Sequence, residues 1–302
     1  MRVWLPFEPE LLDHVPDGID VEVFSRTDEP PPTITDVELY VPDYEFAPIT
    51  VEVLERMSGL RVVQTLTAGV DRIRPHVPDG VLLCSARGVH DASTAELAVA
   101  LTLASLRGIP DFVRAAETGR WAYDGFRPSL ADRRVLLVGY GSIGAAVERR
   151  LDGFECSVTR VARRARPGVR SIDELAGLLP EAEVVIVMVP ITDETRGMVD
   201  AAFLARMRDG ALLVNVARGA VVDTGALLAE LSSGRLRAAL DVTEPEPLPT
   251  DHPLWSAPGV LISPHVGGAS TAFWPRAYRL VGEQLERYAR GEPLSNQVSG
   301  TY

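Results

Sequence analysis

The sequence predicts an α/β protein with two parallel-sheet domains, and three observations carry that expectation. Short apolar runs of strand length alternate with segments of helical pattern along the chain. One run, Val135 to Val138, opens directly into Gly139-Tyr140-Gly141-Ser142-Ile143-Gly144, the G-x-G-x-x-G spacing that starts a dinucleotide-binding helix. The length of 302 residues suits about two domains, each able to bury its own core.

In the first third, Arg2–Phe7, Val21–Phe24, Val37–Val41, Val62–Leu66 and Val81–Cys84 read as strands. Val51–Met57 reads as a short helix with Thr50 as its N-cap. Pro30-Pro31-Pro32 marks a loop, because the strand pattern resumes straight after it. Two places here can meet a ligand. Thr67-Ala68-Gly69-Val70-Asp71 follows a strand and offers small residues whose backbone N–H groups suit an anion, or it is a plain turn. Arg87, His90, Asp91, Thr94 and Glu96 gather just before a long helix, where a lone His such as His90 is more often a surface or capping residue than a catalyst. Ser93 or Thr94 is expected to cap that helix, which runs to about Arg107 and is stopped by Gly108 and Pro110. Its apolar positions go nearly all the way round, which predicts burial between two domains or between subunits. Trp121 to Ser129 is aromatic and irregular, a linker or an oligomer arm.

From Val135 the rhythm is regular. Gly139 allows a sharp turn off the strand, Gly141 lets backbone approach a pyrophosphate, and Gly144 lets the helix Ala145–Leu151 pack close to the strand. The pyrophosphate would sit on the helix N-terminus, where unpaired N–H groups and the helix dipole favour an anion. Further strands follow at Ser157–Val161, Val184–Val189, Leu212–Val216, Ala238–Val242 and Val260–Ser263. Ser171 with Glu174 makes a capping box for a helix ending near Leu179, and further helices run about Ala201–Met207 and Thr224–Leu231. With Val135–Val138, these six strands fit one doubly wound domain. A closing helix, roughly Pro275 to Ala289, and a polar tail from Pro293 to Tyr302 end the chain.

Composition narrows the function. A net charge of −12 leaves no basic surplus for nucleic acid. Cys84 and Cys156 lie in apolar runs without metal-type spacing, so a reduced, cytoplasmic setting without a metal site is expected. Glu8, Glu10 and Asp13 near the start exclude a signal peptide pattern. The most apolar helical run, Leu97 to Leu106, falls short of the ~20 residues a membrane span needs.

Polar residues collect at the ends of the late strands, where a doubly wound sheet binds its ligands. Arg218 can hold a carboxylate by a two-pronged contact. His265 can give or take a hydroxyl proton, with a carboxylate, Glu244 or Glu246, to orient it. An Arg, a carboxylate and a His beside a nucleotide motif suit carbonyl–alcohol redox chemistry.

Over nearly its whole length the chain resembles the D-isomer-specific 2-hydroxyacid dehydrogenases. The carrying blocks are Gly139–Gly144, Val189-Pro190-Ile191-Thr192 with Glu194-Thr195-Arg196-Gly197, Asn215-Val216-Ala217-Arg218-Gly219, Leu240-Asp241-Val242 through Glu246-Pro247-Leu248-Pro249, His252-Pro253-Leu254-Trp255, and Ser263-Pro264-His265-Val266-Gly267-Gly268. The resemblance implies Arg218 as substrate anchor, Glu246 rather than Glu244 as the carboxylate supporting the His, and His265 as acid/base. It places Asp241 near the nicotinamide amide and Ala68-Gly69-Val70 as amide donors to the substrate carboxylate. Cofactor contacts are expected from Gly139, Gly141, Ser142, Ile143, Gly144, Pro190, Val216, Ala217, Asp241, Gly267 and Gly268. It further implies a substrate domain split between residues 1–95 and 275–302, a dinucleotide domain at 96–274 inserted into it, domain closure that excludes water, and a homodimer.

One departure is informative. An NAD site wants an acidic residue about 20 positions beyond the glycine motif to hold the ribose 2′-OH. Between Ser157 and Ser171 there is neither Asp nor Glu, but Arg160, Arg163, Arg164, Arg166 and Arg170 are present. With Arg160, Arg163 and Arg164 as phosphate ligands, NADP is the expected preference, with NAD possible. Thr243 stands where the family often has an aromatic and leaves the substrate side open. The expected activity is reversible reduction of a small 2-keto acid, of the glyoxylate or hydroxypyruvate kind, to the D-2-hydroxy acid. The rival is an NAD(P)-sensing, corepressor-like binding protein without significant turnover. A relative acting on formate or phosphite is a third reading that nothing in the chain singles out.

Overall fold

Runs rich in valine and leucine, too short for helices, become the strands of two all-parallel sheets. The computed structural model describes residues 1–27, 29–45 and 47–299; the last three residues of the expected tail, 300–302, lie outside the described residues. Met1–His90 with Thr271–Tyr302 form one unit and Asp91–Ser270 the other.

The first unit contains β1 (Arg2–Leu5), β2 (Asp20–Val23), β3 (Val37–Tyr40), α1 (Pro48–Arg56), β4 (Val62–Gln64) and β5 (Leu82–Cys84). Its strand order, β2-β1-β3-β4-β5, is the flavodoxin-like doubly wound order. Thr50 does not cap α1 but lies inside it: Ala47 precedes the helix and Pro48 opens it. Proline's fixed φ and missing N–H suit that first position.

The second unit follows with α2 (Asp91–Arg107), α3 (Ile109–Glu117), β6 (Arg134–Val138), α4 (Ser142–Leu151), β7 (Ser157–Ala162), β8 (Arg170–Ser171) and α5 (Leu175–Leu178). It continues with β9 (Val184–Val187), α6 (Ala201–Arg206), β10 (Leu212–Asn215), α7 (Thr224–Ser232), β11 (Arg237–Leu240) and β12 (Val260–Ile262). The chain then returns to the first unit with α8 (Phe273–Ala289). The order β12-β11-β10-β9-β6-β7-β8 reverses beside β6, so the glycine motif leaves the sheet at the topological switch point.

Alternation along the strands builds a core on each face of this sheet. Leu137, Ile186 and Val214 pack with Ala95, Ala98, Ala146 and Val147 of α2 and α4. Leu136, Val187 and Leu213 face the other way, onto Leu175, Phe203, Leu204 and Leu227. This also places α2. Its apolar residues Ala95, Ala98, Val99, Leu101 and Leu106 are buried in the second unit's core, against α4 and the sheet.

Other boundaries differ locally. α2 starts at Asp91, so Ser93 and Thr94 are interior, buried residues rather than caps. Gly108, at φ +68°, ends α2 as expected, but Pro110 lies in the first turn of α3, a helix not anticipated. The two-residue strand β8 makes seven strands where six were expected. The capping box of Ser171 and Glu174 is present, opening a 3-10 turn that leads into α5. The anticipated boundaries at 95/96 and 274/275 fall inside α2 and α8, whereas the units divide just before those helices. Among the described residues, no helix is long and apolar enough to cross a membrane.

Candidate active site

The glycine turn shows three different constraints. Gly139 has φ +99°, and a Cβ there would lie 2.7 Å from the backbone of Met188 and Val189, so only glycine fits. A Cβ on Gly141 would meet no protein atom within 4 Å, and no side chain caps the helix it precedes. That face is open, and the uncapped N-terminus of α4, with Ser142 and Ile143 in its first turn, suits a pyrophosphate. A Cβ on Gly144 would stand 3.2 Å from the Tyr140 ring and 3.3 Å from the Gly139 carbonyl oxygen. The third glycine therefore lets the helix fold back over its own turn.

The arginines beyond the motif divide into two sets. Arg160 projects from β7 onto Glu148 of α4, with Nε 2.7 Å and 2.9 Å from the two carboxylate oxygens. The Tyr140 hydroxyl also donates to Glu148. Arg166 donates to the Tyr140 carbonyl at 2.5 Å, and Arg160 and Arg166 each lie 5.7 Å from the Tyr140 ring centre. Arg170 pairs with Glu174 at 3.1 Å. The hydrogen bond from Arg160, opposed by burial and helped by Tyr140, holds the Glu148 carboxyl below its ordinary range. Only Arg163 and Arg164 stand past the end of β7, exposed and without a hydrogen bond or ion pair among the described residues. Arg160, expected as a phosphate ligand, is engaged with Glu148 and ties strand to helix. Position 160 lies within β7, opposite a carboxylate that the sequence alone does not place there.

At the carboxyl end of β10 the buried Asn215 shapes the turn that presents Arg218. Its amide oxygen accepts from Ala217 N at 3.0 Å and its Nδ2 donates to the Arg218 carbonyl at 3.0 Å. Arg218 is half-buried and extended, with Nη1 2.9 Å from the Ala217 carbonyl. Val216 and Ala217 are buried beneath it. A Cβ on Gly219 would fall 1.8 Å from the Thr243 carbonyl oxygen. This close approach, possible only for glycine, draws the Arg218 turn against the segment that carries Glu244 and Glu246. Thr243 is itself buried, its hydroxyl donating to the Pro245 carbonyl at 2.9 Å.

Glu246 and His265 meet in that segment: the Glu246 carboxylate is hydrogen-bonded to His265 Nδ1. Glu244 meets the Thr224 hydroxyl through its backbone carbonyl, at 3.0 Å. His265 has the left-handed φ of +53°, a conformation that costs about 1–3 kcal/mol outside glycine and is held by its surroundings. Asp241, 2% exposed, lies beneath the loop and accepts from Val266 N at 2.9 Å and Gly267 N at 2.8 Å. Pro190 follows β9 at the same edge, its carbonyl accepting from the Thr195 hydroxyl at 2.6 Å.

The structure thus gathers the glycine turn, Arg163, Arg164, Pro190, Val216–Arg218, Asp241, Glu246, His265, Gly267 and Gly268 at the carboxyl edge of one sheet. Ala68, Gly69 and Val70 belong to the other unit, just beyond β4, where the Thr67 hydroxyl donates to the Gly69 carbonyl at 2.7 Å. His90 is also there, buried, its ring stacked on Phe273 and its Nε2 3.0 Å from the Leu66 carbonyl. Sequence reading made Thr94 a possible helix cap and gave Asn215 and Ser263 no role of their own within the family blocks, yet the contacts of all three shape these loops; for Asn215 and Ser263 a polar residue at a strand end was the signal. Chemically, the His265–Glu246 pair fixes one ring nitrogen and leaves Nε2 to exchange a proton with a ligand.

Comparison with known proteins agrees with this architecture. A family model described as "D-isomer specific 2-hydroxyacid dehydrogenase, NAD binding domain" matches residues 99–267. A glyoxylate reductase of Korarchaeum cryptofilum is 35% identical over 271 residues, which is 83% of this chain and 80% of that one. A D-3-phosphoglycerate dehydrogenase of Archaeoglobus fulgidus is 30% identical over 97% of this chain, which spans only 58% of that longer relative. Among solved structures, a D-isomer specific 2-hydroxyacid dehydrogenase from Xanthobacter autotrophicus in complex with NADPH and MES is similar at TM-score 0.81 and 32% identity. It covers 99% of this chain and 97% of its own. An NADPH-dependent glyoxylate/hydroxypyruvate reductase from Sinorhizobium meliloti in complex with NADP and malonate has TM-score 0.80 and 28% identity, over 99% and 96% of the two chains.

Proposed function

Because the chain belongs to the D-isomer specific 2-hydroxyacid dehydrogenase family, we propose that it reduces a small 2-keto acid, of the glyoxylate or hydroxypyruvate kind, to the D-2-hydroxy acid with NADPH. The enzyme is an NAD(P)-dependent oxidoreductase. Relatives that bear the names glyoxylate reductase and glyoxylate/hydroxypyruvate reductase support the substrate class. The observation that carries the chemistry is the His265–Glu246 pair at the sheet edge that also bears the glycine turn.

The nicotinamide, when bound, supplies the hydride that adds to the carbonyl carbon. His265 donates the proton to the carbonyl oxygen from Nε2, so the keto group becomes a hydroxyl and the imidazole becomes neutral. Glu246 holds the ring by Nδ1, fixing its orientation for transfer from Nε2. Arg218 anchors the substrate carboxylate and polarises the carbonyl. In the reverse direction the same ring takes the hydroxyl proton. Ser142, Ile143 and the glycines would hold the pyrophosphate, Arg163 and Arg164 the 2′-phosphate. Pro190, Val216, Ala217, Asp241, Gly267 and Gly268 would form the nicotinamide side. Asp91–Ser270 is accordingly proposed as the dinucleotide unit, and Met1–His90 with Thr271–Tyr302 as the substrate unit, its Ala68–Val70 turn offering amide donors to the acid.

Following NADPH absorbance with a panel of 2-keto acids tests the reading. Turnover of glyoxylate or hydroxypyruvate is expected, and Arg218→Gln should raise the KM for the acid about 10- to 100-fold, the worth of a charge-assisted pair. NADPH bound without oxidation by any acid would favour the sensor reading instead.

A homodimer belongs to the same proposal. Ile109, Phe112 and Val113 on α3 and Trp121, Tyr123 and Phe126 after it expose large apolar side chains along one stretch, with Trp121 95% exposed. Sedimentation should give twice the chain mass, and a monomer at micromolar concentration would refute it. The free thiols of Cys84 and Cys156 support a cytoplasmic location as a further part of the proposal.

A further inference from the structure

We propose that Ser263 and Thr94 are positioning residues for His265, acting through the buried carboxylate of Asp241 and the peptide of Gly267. The inference rests on His265 as the proton donor. Its starting point is the left-handed backbone of His265, at φ +53°, which a non-glycine residue keeps only where its neighbours impose it.

The neighbours that impose it form one closed set. His265 N donates to the Asp241 carbonyl at 2.7 Å, so the backbones of the two residues are tied directly. Asp241 Oδ1 accepts from the Ser263 hydroxyl at 2.6 Å and from Val266 N at 2.9 Å, while Oδ2 accepts from Gly267 N at 2.8 Å. Among the described residues, every donor to this carboxylate comes from the segment 263–267, on either side of His265. A buried carboxylate needs such donors, and losing one leaves it free to turn toward another arrangement.

The far side of Gly267 is held as well. Its carbonyl accepts from the Thr94 hydroxyl at 3.2 Å, and a Cβ on Gly267 would lie 2.9 Å from Asp241 Oδ2 and 3.6 Å from the Thr94 methyl. Thr94 is a buried residue of α2, a helix anchored in the second unit's core. Ser263 therefore fixes the loop where it leaves β12, and Thr94 fixes it two residues past the histidine. Glu246 orients the ring about its side-chain torsions; Ser263 and Thr94 set where the ring starts from. A shift of about 1 Å at a reacting group can cost on the order of 100-fold in rate.

The test is a double-mutant cycle with the NADPH assay. Ser263→Ala is expected to lower kcat about 10- to 100-fold, a larger change than that in NADPH affinity read by fluorescence titration. Ser263→Thr, which keeps the hydroxyl, should restore most of the rate. The solvent deuterium isotope effect on kcat should rise in Ser263→Ala, because a misplaced donor makes proton transfer slower. In a His265→Gln background the Ser263→Ala effect should vanish, since both changes act through one group. Thr94→Val should behave like Ser263→Ala and provides a second variant should the first not fold. Equal losses from Ser263→Ala in both backgrounds, or no loss in either Ser263→Ala or Thr94→Val, would overturn the positioning role. Undiminished activity in His265→Gln itself would overturn the catalytic reading, and this outcome is separately visible in the cycle.

Discussion

His265→Gln is expected to lower kcat about 100- to 10,000-fold, the range that a positioned general acid contributes, while NADPH still binds. Glutamine keeps roughly the size of the side chain and a hydrogen-bonding group for Glu246, but it cannot deliver a proton. The hydride could still approach the carbonyl carbon, leaving an alkoxide with only water as its acid. Because the defect lies in the transition state, kcat and kcat/KM should fall together, with KM for the acid little changed. Arg218→Gln is the contrasting variant, since it removes an anchor and should raise KM. Glu246→Gln should fall between: it preserves the shape of the pair but replaces the charged partner that orients the ring with a weaker neutral one. Steady-state kinetics on the three variants with one responsive keto acid checks the set. A His265→Gln enzyme with parental kcat would remove the imidazole from the mechanism.

The sequence made the architecture legible because the second unit's sheet is covered on both faces. Its strands read as unbroken apolar runs, and the glycine turn marks the first of them. Residues whose place depends on neighbours close in sequence were equally readable, such as the Ser171–Glu174 capping box. What escaped was set by distant partners. That Arg160 meets Glu148 on the preceding helix was not readable from the run of arginines that contains it. Thr94 looked like a helix cap, yet its hydroxyl meets a carbonyl 173 positions away. Gly108 and Pro110 read as a stop, but proline in a first turn also serves as a start, and α3 begins there. Choosing Glu246 over Glu244 needed the family resemblance; the fold supplies a physical reason, since the Glu246 carboxylate faces the imidazole and the Glu244 backbone meets Thr224.

The division among the arginines yields the second large expectation. Replacing Arg163 and Arg164 together by alanine should reduce the ratio of kcat/KM for NADPH to that for NADH about 10- to 100-fold, the two exposed side chains together being worth about one charge-assisted contact to a phosphate, about 1.5–3 kcal/mol. The loss should appear as KM for NADPH, with kcat and the kinetics of NADH little altered, because the 2′-phosphate lies far from the hydride. Raising the salt concentration should weaken NADPH more than NADH in the parent enzyme and lose most of that difference in the double variant. Arg160→Ala is the control that separates a strut from a ligand. It breaks the tie between β7 and α4 at Glu148, so thermal stability should fall while the cofactor ratio stays within about twofold of the parent. Glu148 has its carboxyl held below the ordinary range, so this tie is complete above the unfolded carboxylate pKa and is lost as pH falls through the folded one. The stability gap between parent and Arg160→Ala should therefore be widest near neutrality and close in acid. A ratio that collapses in Arg160→Ala but survives in the Arg163, Arg164 double variant would reverse the two roles. A parent enzyme that prefers NADH outright would remove the phosphate site altogether.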